Sequence, residues 1–214
     1  MDGYSLNLTN SAPAIRGAKI NMQTAVNNSE ICDNDLVAQA ARGRIPAFKE
    51  LVERYQRRTY FFALGMVHNP DDAYDLSQEA FVRVHKHLKR FDPNFPFKVW
   101  LFHILSNLCK NHLRQRKTRE NVVVSSDDER TLTIPDYRDP ETAMDKTETQ
   151  AQVWKAIGQL PEKFREIIIL SHFQEMPYDQ MAQVLEIPRG SVMSRLYYAR
   201  LKLREILEKM GVEI

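Results

Sequence analysis

The sequence predicts an all-α chain, with two small helical domains joined by a flexible linker and a helix-turn-helix in the second. Three observations predict it. Apolar residues recur every three to four positions through nearly every segment that is not turn-like, and no strand run is needed to account for any of them. From Glu120 to about Lys146 this periodicity stops, Pro135 and Pro140 appear, and acidic residues are in excess, the composition of a linker. Beyond it, a short helical pattern meets a long one across the three residues EIP, the spacing of a helix-turn-helix.

A chain of 214 residues accommodates one medium or two small domains. Its formal net charge is only +2, so the placement of charge says more about partners than the total does. Cys32 and Cys109 are far apart and lack metal-site spacing, which suits a reducing compartment with both thiols as small core fillers. No apolar run approaches the roughly 20 residues of a membrane span. The opening MDGYSLNLTNSAP lacks the basic-then-apolar order of a secretory signal. A cytoplasmic protein without stable membrane insertion is expected.

Taken in order, residues 1–32 are polar and aperiodic and read as an N-terminal extension. Asp33 precedes a short helix that Gly43 closes. Pro46 suits the first turn of the next helix, where its missing donor costs nothing. There Phe48, Leu51, Val52, Tyr55, Tyr60, Phe61, Leu64 and Val67 form a core stripe. Asn69 caps the third helix, with Pro70 at its first position and Asp71 and Asp72 where the helix dipole favours acids. Ala73, Leu76, Ala80, Val84 and Leu88 form its seam. The turn FDPNFPF, Phe91 to Phe97, breaks the period. Phe97, Trp100, Leu101, Ile104, Leu105 and Leu108 then restart it in a helix that ends on Lys110, Arg114, Arg116, Lys117 and Arg119.

After the linker, Ala151, Trp154, Ile157 and Leu160 make a short stripe and Pro161 starts another helix. The run IIIL within it is a buried helix, since the segment is short and flanked by PEKFRE and SHFQE. Met181, Ala182 and Leu185 face inward from the first helix of the helix-turn-helix, Ile187 lies in the turn, and Val192, Leu196, Ala199, Leu203 and Leu207 face inward from the second. The exposed start of that second helix, Arg189, Ser191, Met193, Ser194 and Arg195, is where a recognition helix meets base edges and phosphates.

The aromatic turn has two readings. Phe, Trp and basic side chains together capture unpaired bases, or Phe91, Phe97, Trp100 and Phe102 plug a small helical core. The six histidines form no metal motif, and Cys109 with His112 supplies only two ligands. Neither a glycine-rich phosphate cradle nor a nucleophile elbow is present. No catalytic, metal or cofactor residues are assigned, and an enzyme is not expected.

Three stretches carry a family resemblance: NPDDAYDLSQEAFVRVHKHLKRFD, FPFKVWLFHILSNLCKNHLRQRK, and LPEKFREIIILSHFQEMPYDQMAQVLEIPRGSVMSRLYYARLKLRE. From about Asp33 to Met210 the chain resembles a group 4, or extracytoplasmic-function, sigma factor of the sigma-70 family. The resemblance implies a region 2 domain over 33–119, an acidic linker over 120–139 and a region 4 domain over 140–214. It implies binding to core RNA polymerase, recognition of promoter DNA, local strand separation, and an anti-sigma partner. Asp75, Leu76, Gln78, Glu79 and Phe81 match the polymerase-docking surface. The loop from Phe91 through Asn94, Phe97 and Lys98 to Trp100 matches the element that captures a flipped base. Asn107, Lys110, Asn111 and Arg114 match its minus 10 contacts, and Arg189, Ser191, Ser194, Arg195 and Arg200 the minus 35 contacts. Two departures stand out. Glu186 sits where the turn often carries glycine, so a turn of different shape is expected, and Met193 replaces a usual lysine, removing a phosphate contact. A stand-alone helix-turn-helix regulator or partner-binding module is the alternative function.

Overall fold

The computed structural model describes residues 31–122 and 148–212, so the expectations for residues 1–30 and for most of the linker lie outside the described residues. Every regular element among the described residues is helical. The first half contains α1 (Asp33–Ala41), α2 (Ile45–Val67), α3 (Pro70–His87) and α4 (Phe97–Val122). The second contains α5 (Glu148–Gly158), α6 (Glu162–Ile168), α7 (Tyr178–Leu185) and α8 (Arg189–Lys209).

Local chemistry accounts for the ends of these helices. Cys32, not Asp33, is the N-cap of α1, and Asp33 lies in the first helical turn. There its carboxylate accepts from the Tyr55 hydroxyl and pairs with Arg54 at 2.7 Å, which fastens α1 to α2. At α3 the Asn69 side chain accepts from the Asp71 and Asp72 amides at 2.9 and 3.0 Å, satisfying two of the helix's orphan donors. Asp71 and Asp72 at its start, with His85, Lys86 and His87 at its end, complement the helix dipole. Leu88, expected at the end of the α3 seam, falls in a single 3-10 turn, Leu88–Arg90. Helix α4 runs three residues past the boundary placed at Arg119, so the whole basic run is helical.

The first core packs Leu51, Phe62, Leu101, Phe102 and Leu105, with the Phe62 and Phe102 rings edge to face at 5.4 Å. Cys109 belongs to it, whereas Cys32 is exposed and donates to Asp35, so only one thiol is a core filler. In the second half Trp154, Ile157 and Leu160 are buried as expected, but Ala151 is exposed and Val153 packs in its stead. Ile167 to Leu170 are all buried and helical. Their helix widens into one π turn, Ile169–Phe173, closed by the Gln174 amide on the Ile169 carbonyl at 3.1 Å. All five inward positions expected on α8 are buried.

The turn between α7 and α8 keeps the left-handed shape. Glu186 adopts φ 52 and ψ 43, contrary to the expectation of a different turn, because the Ile187 amide reaches back to the Ala182 carbonyl at 3.1 Å and closes the α7 terminus.

The two halves pack against each other. A Cβ placed on Gly65 of α2 would stand 2.6 Å from Ile169 Cδ1 and 2.9 Å from Trp154 Cζ3, both in the second half. Glycine at 65 is what lets the two surfaces close. No described helix is long and apolar enough to cross a membrane.

Candidate nucleic-acid interface

The aromatic turn is held from α1. Asn34 donates to the Pro93 and Phe95 carbonyls at 2.9 and 3.1 Å and accepts from the Phe97 amide at 3.1 Å. One side chain thus satisfies two loop carbonyls and an orphan donor at the head of α4. Sequence reading missed Asn34. Asp92 adds an Asx turn by accepting from the Asn94 amide at 2.9 Å.

On this platform Phe97 is buried, while Phe91 and Trp100 are half-buried with rings 5.1 Å apart. The Trp100 ring also meets Phe97 at 6.2 Å. The core reading therefore holds for Phe97 and Phe102, whereas Trp100 and Phe91 are core on one face only. Their other face opens on a cavity of about 300 Å³, lined on the first half by Arg90, Asp92, Phe95, Val99 and His103 as well. Gln183 and Glu186 of the second half complete its wall.

Along α4, Asn107, Asn111 and Arg114 are exposed, followed by exposed Lys117 and Arg119. Lys98 and Lys110 are not open in this way. Lys98 donates to the Gln174 carbonyl, and burial, with Arg58 nearby, pulls its ammonium down to about 8. Lys110 pairs with Glu166 at 2.8 Å, and Ser106 donates to the same carboxylate oxygen. Glu166 is only 2% exposed. His103 Nδ1 lies 3.2 Å from the Val184 carbonyl. The inward edge of α4 is thus occupied by the second half, and no periodicity in the sequence announces Glu166 as its partner.

That contact also carries unmet polar demand. Both ring nitrogens of His68, the Arg165 Nε and the Gln174 Oε1 are buried without hydrogen-bond partners. All three residues sit between the halves. His68 touches the Gly158 position, Arg165 donates to the Met66 carbonyl at 2.7 Å, and Gln174 donates to the Arg58 carbonyl at 3.3 Å. Burial, with Arg165 and Arg116 nearby, lowers His68 to about 4. Each unpartnered buried polar group costs about 1–3 kcal/mol. Each large apolar side chain buried there, such as Trp154 or Ile169, contributes about 1.5–3 kcal/mol.

On α3, Asp75 and Gln78 are exposed, Glu79 pairs with Arg83 at 2.8 Å, and Leu76 is half-buried. Phe81 is 4% exposed and lies in the core, apart from the other four. On α8, Arg189 is exposed 3.4 Å from Asp179, Arg195 and Ser191 are half-buried, and Arg200 donates to His172 at 3.4 Å. The Ser194 hydroxyl is turned back onto the Gly190 and Ser191 carbonyls, both at 3.2 Å. Among the most open α8 side chains are apolar or aromatic ones, Met193 at 52%, Tyr197 at 60% and Tyr198 at 59%. Sequence reading named Met193 as a departure and left both tyrosines out. Their signal was available: core positions 192, 196, 199 and 203 put 197 and 198 on the outer side.

The described residues thus form two helical halves, the first with an aromatic loop at the head of a cationic helix and the second with a helix-turn-helix. Residues 51–119 match Sigma-70 region 2, and residues 150–203 match Sigma-70 region 4. The chain is 34% identical over 183 residues to the RNA polymerase sigma-H factor of Pseudomonas aeruginosa, covering 83% of this chain and 95% of that protein. It is 29% identical over 179 residues to the ECF RNA polymerase sigma factor SigW of Bacillus subtilis, covering 81% and 96%. Its fold is similar to CnrH, solved in complex with the cytosolic domain of CnrY, with TM-score 0.62, 27% identity and 83% and 97% coverage. It is also similar to the sigma factor RpoE of Bartonella quintana, solved with the anti-sigma factor NepR, with TM-score 0.67, 24% identity and 77% and 98% coverage. The chain belongs to the extracytoplasmic-function (group 4) sigma factors of the sigma-70 family. As a sigma factor it binds core RNA polymerase and promoter DNA, and nucleotide addition belongs to the polymerase.

Proposed function

We propose a division of this activity among the surfaces just described. Asp75, Gln78 and Glu79, over Leu76, dock on core polymerase. The loop at Phe91 and Asn94, with Trp100 and with Phe97 packed beneath it, takes an unpaired base, and Asn107, Lys110, Asn111 and Arg114, with Lys98 at the helix head, follow the opened strand at the minus 10 element. Arg189, Ser191, Ser194, Arg195 and Arg200 engage the minus 35 duplex. The units lie at 33–119 and 140–214, with 1–32 an extension and 120–139 the linker.

The observation that carries this reading is a cavity walled by Trp100 and Phe91 at the head of a helix whose far end is exposed and cationic. Opening a base step costs a few kcal/mol, and stacking a base on an aromatic ring returns about 1–3 kcal/mol. Capture at the loop, with phosphates drawn along α4, therefore offsets local melting without any chemical step.

CnrH is solved with the cytosolic domain of a second protein bound, and we extend a protein partner of the anti-sigma kind to this chain. The deciding experiment mixes the purified chain with core polymerase and transcribes a random promoter library. A one-to-one complex that enriches discrete start sites is expected. Duplex binding by the chain alone, with no polymerase complex, would replace this reading with a stand-alone regulator.

A further inference from the structure

We propose that α8 reads a thymine methyl in the minus 35 duplex with the ring of Tyr197, on an uncharged ridge that closes on the major groove at Gly190. This rests on the reading of α8 as the duplex-binding helix. Placement of charge is the first reason. The buried positions Val192, Leu196, Ala199 and Leu203 fix which side of α8 faces inward. Opposite them, on one line at helical spacing, stand Gly190, Ser194, Tyr197 and Leu201. All four are exposed and none is charged. Cations take the flanks instead, Arg189 and Arg200 on one side and Arg195 on the other, and the first acid on the helix is Glu205. A neutral ridge between cationic flanks complements a groove with a phosphate strand along each edge.

The second reason is what the ridge offers a base edge. Arginine or lysine reads guanine, an amide side chain reads adenine, a carboxylate reads cytosine, and apolar contact reads the thymine methyl. The ridge carries none of the first three. The Ser194 hydroxyl spends its hydrogen on the Gly190 and Ser191 carbonyls. Tyr197 is left as the reading group, with its ring propped edge to face by Tyr198 at 5.4 Å and 76°. Its hydroxyl both donates and accepts, so it favours no base pair. Its apolar ring face matches one group in the major groove, the methyl of thymine.

The third reason is Gly190. Glycine weakens a helix relative to alanine, and nothing within the described residues asks for it here. Its backbone is not left-handed, and a Cβ at 190 would meet nothing within 4 Å. A missing side chain at this place serves close approach by a surface outside the chain. Gly190 lies on the Tyr197 line, two turns earlier, or about 10 Å and roughly three base pairs along a strand. An approach at Gly190 seats the helix deep enough for the Tyr197 ring to meet the methyl.

The test titrates holoenzyme, assembled with the full chain, against a fluorescent duplex carrying the minus 35 element it selects from a random library. The same duplex is then made with each thymine in turn replaced by uracil, which keeps the O4 acceptor and removes only the methyl. At one thymine the replacement is expected to weaken binding about fourfold, the worth of one buried methyl group. Tyr197→Ala should weaken the thymine duplex by at least that factor and become indifferent to uracil, while Tyr197→Phe should keep the discrimination. Gly190→Ala should keep or raise the thermal midpoint, yet bind the selected duplex about tenfold more weakly and a scrambled duplex as the parent does. Parent holoenzyme that ignores uracil, or Gly190→Ala that binds the selected duplex as the parent does, would overturn the proposal. So would a Tyr197→Ala variant with the parent's uracil penalty, since thymine would then be read from elsewhere. Arg195→Ala separates the two levels. Unchanged duplex binding by that variant removes α8 from the duplex altogether, whereas weakened binding without any uracil penalty in the parent removes only the thymine contact.

Discussion

Asn34 of α1 holds the Phe97 amide at 3.1 Å, and through it the head of α4 and the loop before it. Removing this side chain in Asn34→Ala deletes three hydrogen bonds at a partly exposed site, where each nets about 1 kcal/mol or less. A loss of about 2 kcal/mol is expected in chemical denaturation. Base-analogue fluorescence on promoter melting should fall several-fold while minus 35 duplex binding stays at the parent's level. Asn34→Asp keeps the acceptor for Phe97 and loses the donors, so it should fall between the two. Equal melting by Asn34→Ala and the parent would relegate Asn34 to a purely structural role.

Substitutions at Trp100 and Arg195 should separate melting from duplex binding. Trp100→Ala opens the aromatic wall and should lower the melting signal tenfold or more with duplex affinity intact, and Trp100→Phe should retain most of it by preserving contact with Phe91 and Phe97. Arg195→Ala should do the converse. It should weaken duplex binding and reduce the salt slope by about one, the signature of a single lost phosphate contact. Undiminished melting in Trp100→Ala would assign that ring to the core alone.

Legibility followed sequence distance. The Asn69 cap was readable because its partners lie two and three residues on, and the α8 core positions because a one-sided buried face leaves a three-to-four residue period. Glu166 and Asn34 were not, because their partners are 60 and 63 residues away and leave no periodic trace. Phe81 was assigned to a surface by its place in a motif, and packing of α3 put it in the core. Cys32 and Ala151 were misplaced for the opposite reason: an apolar residue near a helix start has no obligation to face inward.

Met193 lies on the exposed side of α8, and if α8 engages the minus 35 duplex as proposed, a cation there would reach its backbone. Met193→Lys should raise duplex affinity for all sequences alike and steepen the salt slope by about one. Fluorescence anisotropy across a salt series on the selected element and on a scrambled duplex checks this. A gain confined to the selected element would mean that position 193 reads bases.

Glu186 is held at φ 52, a left-handed conformation that disfavours a side chain by about 1 kcal/mol. Glycine relieves this strain but adds freedom to the unfolded chain, which returns part of the gain. Glu186→Gly should therefore stabilise the chain by at most about 1 kcal/mol, seen as a small rise in thermal midpoint. Glu186→Pro should unfold the turn, since proline cannot take a positive φ. A loss of stability in Glu186→Gly would show that the carboxylate has a compensating role toward His103, 3.9 Å away.

His68 makes the closed contact acid-sensitive. Its imidazole is buried against the Gly158 position, with Arg165 and Arg116 repelling a proton and Glu162 partly offsetting Arg165. In the closed form it is lowered to about 4 from an ordinary 6.5. The closed form therefore binds fewer protons than any form that hydrates the ring, and linkage makes closure more favourable as pH rises. The contribution is fully present above about 6.5, declines as pH falls, and is exhausted below about 4. Energy transfer between the halves should drop across this window, with the open fraction rising on the order of tenfold by pH 5. His68→Asn tolerates the same left-handed backbone, at φ 57, and does not titrate. Its energy transfer should be flat from pH 7 to 5, where few carboxylates have yet protonated. A parallel drop in His68→Asn would move the acid response to another group.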